Sequence, residues 1–369
     1  MPTKFNIKAL SPEQKTGQLF FIGLPGPEFD NEAEKLLTEI NPGGVCLFSR
    51  NIKKAAQTRN LLEEVSERSA LLPFLSIDQE GGLVDRLRRI MTPMPAANKF
   101  GNAKDAEEFG EIVADTLRVL GFNMNFAPVV DVIDARRESS NNGMYSRAFG
   151  GNLQEVCDLA GGFLKRMQEQ GIVGCLKHFP GLGAAVADSH EELPQIVIEK
   201  KELFEKDLAP YRRLFSCNIP EMVMVAHAAY PNTGLQQTDQ NGRLLPSSLS
   251  SKIVTNLLRE ELGFGGVVIT DDLEMGAIVK NYGIGDACKK ALLAGNDMLA
   301  ICANPNAIRE GYNSVLKAFR EGEISESRIN ESLEKIAALK QKLLPPEPFD
   351  SEKISELSER TKELTARLT

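Results

Sequence analysis

GIVGCLKH, residues 171–178, is an apolar run that stops on a lysine and a histidine, with Phe-Pro-Gly directly after it. A run this short, bounded by glycine and proline, has the length of a strand buried on both faces rather than of a helix. Seven further runs read the same way. They are QLFFIGL (18–24), GVCLF (44–48), FLSID (74–78), MNFAPVVDV (124–132), MVMVAH (222–227), GVVITDD (266–272) and DMLAIC (297–302). Between them lie stretches with helical amphipathic spacing, such as NEAEKLLTEI (31–40), AAQTRNLLEEVSER (55–68) and KDAEEFGEIVADTLRVL (104–120). Buried strands alternating with helices predict a parallel sheet, and eight such units predict an α/β fold of the (β/α)8 barrel type. A doubly wound open sheet is the rival arrangement.

The remaining composition fits one catalytic-size domain with an appendage. The chain has 369 residues, is 42 % hydrophobic, and carries a net charge of −8 with its basic residues scattered. That argues against a nucleic-acid partner. The segment 327–344 reads as a helix, PPEP (345–348) breaks it, and 350–369 reads as a last charged helix docked on the outside. The expected division is a barrel over 1–344 and a helical extension over 345–369. Six cysteines, none in a C-x-x-C, are expected as buried free thiols. The first residues lack a signal-peptide core, and no run reaches the ~20 apolar residues of a membrane span. A cytoplasmic protein without a membrane partner, monomeric by preference, is expected.

In a barrel of this kind, side chains at the C-terminal ends of the strands share one cavity. The third strand ends in Asp78, followed by QEGG and Arg86. The fourth runs to Asp131, with Arg147 in its loop. The fifth ends in Lys177 and His178, the sixth in His227, and the seventh in Asp271 and Asp272. Of the two adjacent aspartates, one can face the cavity while the other caps the next helix. In ADSH (187–190), Asp188 and His190 stand two apart. An extended loop projects them to one side, where the carboxylate orients the imidazole and raises its basicity. The bland alternative is a surface Asp-x-His without a task. Lys177 invites a Schiff-base reading, but polar neighbours would keep it charged and suited to hydroxyls. Surface salt bridges are the bland reading of Arg86 and Arg147. No H-E-x-x-H, H-x-H, P-loop or dinucleotide fingerprint occurs, so neither metal nor cofactor is expected.

Taken together, IDQEGGLVDRL (77–87), NFAPVVDV (125–132), SRAFG (146–150), KHFPGLG (177–183), DSHEELP (188–194) and ITDDLEMGAI (269–278) resemble the β-N-acetylhexosaminidases of glycoside hydrolase family 3. The likeness runs over about residues 10–320, and KHFPG followed by D-S-H marks the branch with an aspartate–histidine dyad. The resemblance implies a retaining mechanism with Asp271 as nucleophile and His190, oriented by Asp188, as acid and base. It implies that Asp78, Arg86, Arg147, Lys177 and His178 hold the hydroxyls and acetamido group of a terminal sugar. It also implies trimming of N-acetylglucosamine from muropeptide fragments in cell-wall recycling. Three positions depart from the family pattern: Leu182 and Ala184 replace a histidine and an aspartate, and Leu83 an arginine. The absence of tryptophan and the five tyrosines disfavour stacking platforms for long polysaccharides and favour exo-action. A phosphorylase with the same dyad, a silent sugar-binding protein and, more remotely, a lysine aldolase are the competing readings.

Overall fold

In the computed structural model the described residues are 6–138, 143–185 and 192–368. Eight parallel strands close into a barrel: β1 (Phe20–Gly23), β2 (Gly44–Leu47), β3 (Phe74–Ile77), β4 (Met124–Asn125), β5 (Val173–Phe179), β6 (Met222–Val225), β7 (Val267–Asp272) and β8 (Met298–Ile301). Seven lie inside one of the eight predicted runs, and β5 runs one residue past its own, to Phe179. The barrel closes where β1 pairs with β8, Phe20 opposite Leu299 and Ile22 opposite Ile301. That pairing excludes the open sheet.

The fourth run makes the shortest strand. Only Met124 and Asn125 pair in the ladder, because Pro128 brings no amide donor to the middle of the run. Beyond the ladder the run stays bonded to β5: the Cys175 amide donates to the Ala127 carbonyl at 3.0 Å and the Val130 amide to the Lys177 carbonyl at 2.9 Å, with a bridge between Val129 and Lys177. Asn125 compensates at the rim: its side chain accepts from the Gln79 amide at 2.9 Å and donates to the Gln79 carbonyl at 3.0 Å.

Phe21, Phe74 and Phe126 pack together inside the barrel, with ring centroids 5.1 to 6.3 Å apart. Most of the long helices outside begin behind short polar caps of the residue types favoured there. Asp30, Asn102, Asn152, Asn304, Ser325 and Asp350 each accept amide bonds from the first turn that follows. The final helix (Ser351–Arg367) lies against the helix Ala103–Leu120, burying Ile354, Leu357 and Leu364 and pairing Arg360 with Glu111 at 3.0 Å. All six cysteines are free; five are buried as expected, and Cys217 is exposed. Among the described residues no helix is long and apolar enough to cross a membrane.

Candidate active site

The strand ends converge on a cavity of about 230 Å³ at the C-terminal mouth of the barrel. Asp78, Arg86, Arg147, Lys177, His178 and Asp271 all line it. Six of the eight residues to which the resemblance gives a role are therefore neighbours. The other two, Asp188 and His190, lie outside the described residues. The described residues nearest them on either side of the gap that touch the cavity are Ala185 and Pro194.

Lys177 stands between two carboxylates. Its Nζ lies 2.7 Å from Asp78 Oδ1 and 2.6 Å from Glu80 Oε1. Burial alone would drive a lysine toward its neutral amine, but the two carboxylates outweigh it and hold the ammonium above its ordinary range. A Schiff base needs the free amine, so this geometry opposes the aldolase reading.

Glu80 is the residue the sequence reading missed. It is 5 % exposed and receives Arg147 bidentately, Nε and Nη2 both at 2.8 Å, in addition to Lys177. Burial pushes its carboxyl up, yet Arg147 and Lys177 bring it well below the usual carboxylate range. Arg147 is thus no surface salt bridge but half of a forked, nearly buried pair. Its Nη2 also stands 3.3 Å from His178 Nε2, and His178 Nδ1 stands 3.0 Å from Asp131 Oδ2. Asp131 was visible as a strand-end residue; its tie to His178 was not.

Arg86 arrives on a hairpin, Gln79–Gly81 paired with Val84–Asp85, that turns through Gly81 and Gly82 at φ of 89° and 57°. Only glycine enters that region without strain. Asp85 locks the hairpin by accepting from Gln79 Nε2 at 2.8 Å and the Met94 amide at 2.9 Å. The result leaves the buried Nε of Arg86 without a hydrogen-bond partner at the cavity wall. A buried donor in that state is costly unless a ligand or water meets it.

Asp271 ends β7 on the opposite wall. Burial raises its carboxyl, but the imidazoles of His227 and His178, the Asp272 amide at 2.8 Å and Lys177 bring it below the ordinary value. It is ionised at neutral pH. Asp272 lines the cavity too, and burial pushes it up to about 7, helped by Glu274 and Asp271. Neither aspartate caps the helix Gly276–Val279, which starts behind Met275 without a side-chain cap; Asp272 accepts from the Glu274 amide instead. His227 is fully buried and does not line the cavity. It bonds Ser248 Oγ at 2.7 Å and, through Nε2, the Asp272 carbonyl at 3.0 Å, which fixes the strand end that carries Asp271.

The departures from the family pattern leave this network intact. Leu182 is buried against the cavity, and its amide donates to Asp131 Oδ1 at 2.6 Å. Leu83 projects into solvent, 65 % exposed. Among the described residues, no three His, Cys, Asp or Glu side chains gather in an arrangement that could hold a metal ion. The arrangement offers one ionised carboxylate facing a small cavity ringed by an ammonium, two guanidinium groups and an imidazole. Such a site can hold a polyhydroxyl ligand by hydrogen bonds and place a nucleophile against one of its carbons.

Known proteins share both pattern and shape. A beta-hexosaminidase of Vibrio cholerae is 33 % identical over 294 residues, covering 79 % of this chain and 84 % of that one. Beta-hexosaminidase A of Pseudoalteromonas piscicida is also 33 % identical over 337 residues, 85 % of this chain, and this chain spans 55 % of its length. The solved structure of a glycoside hydrolase family 3 beta-N-acetylglucosaminidase from Paenibacillus sp. superposes with a TM-score of 0.85 at 35 % identity, covering 96 % of this chain and 69 % of that one. Residues 11–339 match the model of the glycosyl hydrolase family 3 N terminal domain, and the chain belongs to that family.

Proposed function

We propose that the chain is a retaining, exo-acting β-N-acetylglucosaminidase. The observation that carries this reading is Asp271: a carboxylate kept ionised in a buried cavity, opposite groups that bind hydroxyls. In the first step Asp271 attacks the anomeric carbon as the bond to the leaving oxygen breaks, giving a glycosyl-enzyme. His190, oriented by Asp188, supplies the proton that the leaving oxygen takes up. In the second step the same imidazole removes a proton from water, which attacks the anomeric carbon and frees Asp271. Retaining glycosidases ordinarily pair two carboxyl groups roughly 5–5.5 Å apart; here a histidine takes the acid's place.

Asp78, Arg86, Arg147, Lys177 and His178 would grip the terminal sugar. A cavity of about 230 Å³ is smaller than the roughly 300–1,000 Å³ of typical ligand pockets, which supports a single sugar ring and action from the chain end. Muropeptide fragments handled in the cytoplasm by a monomer are the proposed substrate, compartment and state, on the strength of the family resemblance. Residues 345–369 are proposed as an extension added to a barrel that is complete by 344.

The test is release of 4-nitrophenol from its β-N-acetylglucosaminide without metal or phosphate, with the anomer of the first product read by proton NMR. Release of the β-anomer supports the reading. Release of the α-anomer refutes retention with water as acceptor. Turnover that appears only when phosphate is added replaces hydrolysis by phosphorolysis.

A further inference from the structure

Asp131 is 1 % exposed, and both of its oxygens are engaged. Oδ2 lies 3.0 Å from His178 Nδ1, and Oδ1 accepts the Leu182 amide at 2.6 Å. On the far side of the imidazole, Nε2 is 3.3 Å from Arg147 Nη2. A guanidinium nitrogen only donates, so Nε2 is the accepting nitrogen and the proton of the ring stands on Nδ1, where the carboxylate takes it. Arg147 cannot turn away cheaply, because Glu80 holds two of its nitrogens at 2.8 Å. We infer that Asp131 is a positioning residue that fixes the proton of His178 on Nδ1 and thereby leaves the single lone pair of Nε2 to accept from Arg147 at the cavity wall. The consequence for sugar binding rests on the glycosidase reading above; the tautomer does not.

Two donors converge on Asp131, so only a carboxylate serves both. A carboxamide has one oxygen, and its NH2 must face either the Leu182 amide or His178 Nδ1. The backbone around Leu182 has little freedom to find another acceptor. Even a Cβ on Gly183 would lie 2.5 Å from the Val132 carbonyl oxygen, and one on Gly181 2.7 Å from Asp207 Cβ. Tyr230 also donates its hydroxyl to the Gly181 carbonyl at 2.7 Å. The mismatch in Asp131→Asn therefore falls on His178. Its proton is driven to Nε2, where it opposes the Arg147 donor, and the guanidinium that would meet the sugar loses one of its supports.

The chain has three histidines, so nitrogen NMR on protein labelled with 15N-histidine resolves each ring. His178→Ala identifies the signals of His178. The expected result is a neutral ring protonated on Nδ1, converted in Asp131→Asn to the Nε2 form or to a mixture. An Nε2-protonated ring in the unmodified protein, or the same spectrum in Asp131→Asn, overturns the inference. Kinetics on the aryl β-N-acetylglucosaminide give the second arm. Asp131→Asn should lower kcat/KM by about 10–100-fold, the scale of losing an outer carboxylate behind a functional imidazole. In a His178→Ala background it should cost less than about twofold, because the Asn oxygen then serves Leu182 alone. Equal losses in both backgrounds would show a merely structural role and also overturn it. Absence of turnover in the unmodified enzyme would count against the glycosidase reading, and the NMR arm would still decide the tautomer.

Discussion

Replacing Glu80 by Gln removes one negative charge and changes almost no volume. Glu80 is 5 % exposed and meets Lys177 at 2.6 Å and Arg147 twice at 2.8 Å. Gln can accept from one cation but points an NH2 at the other, so a nearly buried donor loses its partner. Lys177 keeps Asp78 at 2.7 Å, whereas Arg147 keeps only weak contacts. Removing one side of a buried ion pair costs about 3–5 kcal/mol. With an unfolding entropy of roughly 2.1 cal/mol/K per residue over 369 residues, that corresponds to about 4–6 °C in Tm. Thermal and urea unfolding of both proteins measure it, and KM for the aryl glycoside should rise because Arg147 is no longer held in place. The pH dependence has a definite sign. The folded-state carboxyl lies below its unfolded value of 4.5, so its contribution is full above about pH 4.5 and is lost as pH falls toward the depressed folded value. The stability gap between the two proteins should be constant at neutral pH and should narrow below pH 4.5. A Glu80→Gln protein within 1 °C of the parent, with unchanged KM, would refute the account of Glu80 as the anchor of both cations.

Three further outcomes are expected. Asp271→Asn should lower turnover by about 10⁴-fold or more while leaving the circular dichroism spectrum unchanged; retention of a tenth of the activity would remove Asp271 from its role. His190→Ala should harm substrates with poor leaving groups far more than activated aryl ones, because the latter need little protonation; equal losses on both would remove His190 as the acid. Lys340 is buried with its Nζ 2.7 Å from Gln18 Oε1, and burial pulls it down to about 7 from 10.5. Its charge therefore destabilises the fold fully below about pH 7, and the penalty fades as pH rises toward 10.5. Lys340→Met should add about 1–3 kcal/mol at pH 7 after the loss at Gln18. Urea titrations at pH 7 and pH 10 should show that gain shrinking, and a gain that grows with pH would refute the assignment.

The barrel was legible because its strands are unusually plain. GVCL and MLAI are four-residue apolar strings with every residue buried, and such strings alternate with helices that announce themselves by their period. The same rule placed Asp78, Lys177, His178 and Asp271 at strand ends, and they meet in one cavity. Where the reading failed, local signals were ambiguous. Glu80 follows its strand by two residues inside a hairpin, and among 51 acidic residues nothing local marks the one that two cations will surround. Of the Asp-Asp pair, Asp272 read as a helix cap because Asp is a favoured residue at that position. Here β7 extends through both of them, and burial, not capping, governs Asp272. Partners set by folding, such as Asp131 with His178, are 47 residues apart in sequence and leave no periodic trace.

The pairing inside the cavity also bears on which acceptor the glycosyl-enzyme meets. Lys177 is engaged by Asp78 and Glu80, and Arg147 by Glu80. An ion already paired at 2.6–2.8 Å offers little field to a second anion, because the carboxylate cancels most of it at longer range. Among the described cavity residues, Arg86 is the cation whose buried nitrogen lacks a hydrogen-bond partner. A phosphate meeting the glycosyl-enzyme, in which Asp271 is an uncharged ester, would thus find Arg86 as the cation with an unmet donor and the others already neutralised by carboxylates. Water and neutral hydroxyls need no such counter-charge and can use each paired group as a donor or an acceptor. The pairing of Lys177 and Arg147 therefore favours an uncharged acceptor, and with it hydrolysis over phosphorolysis.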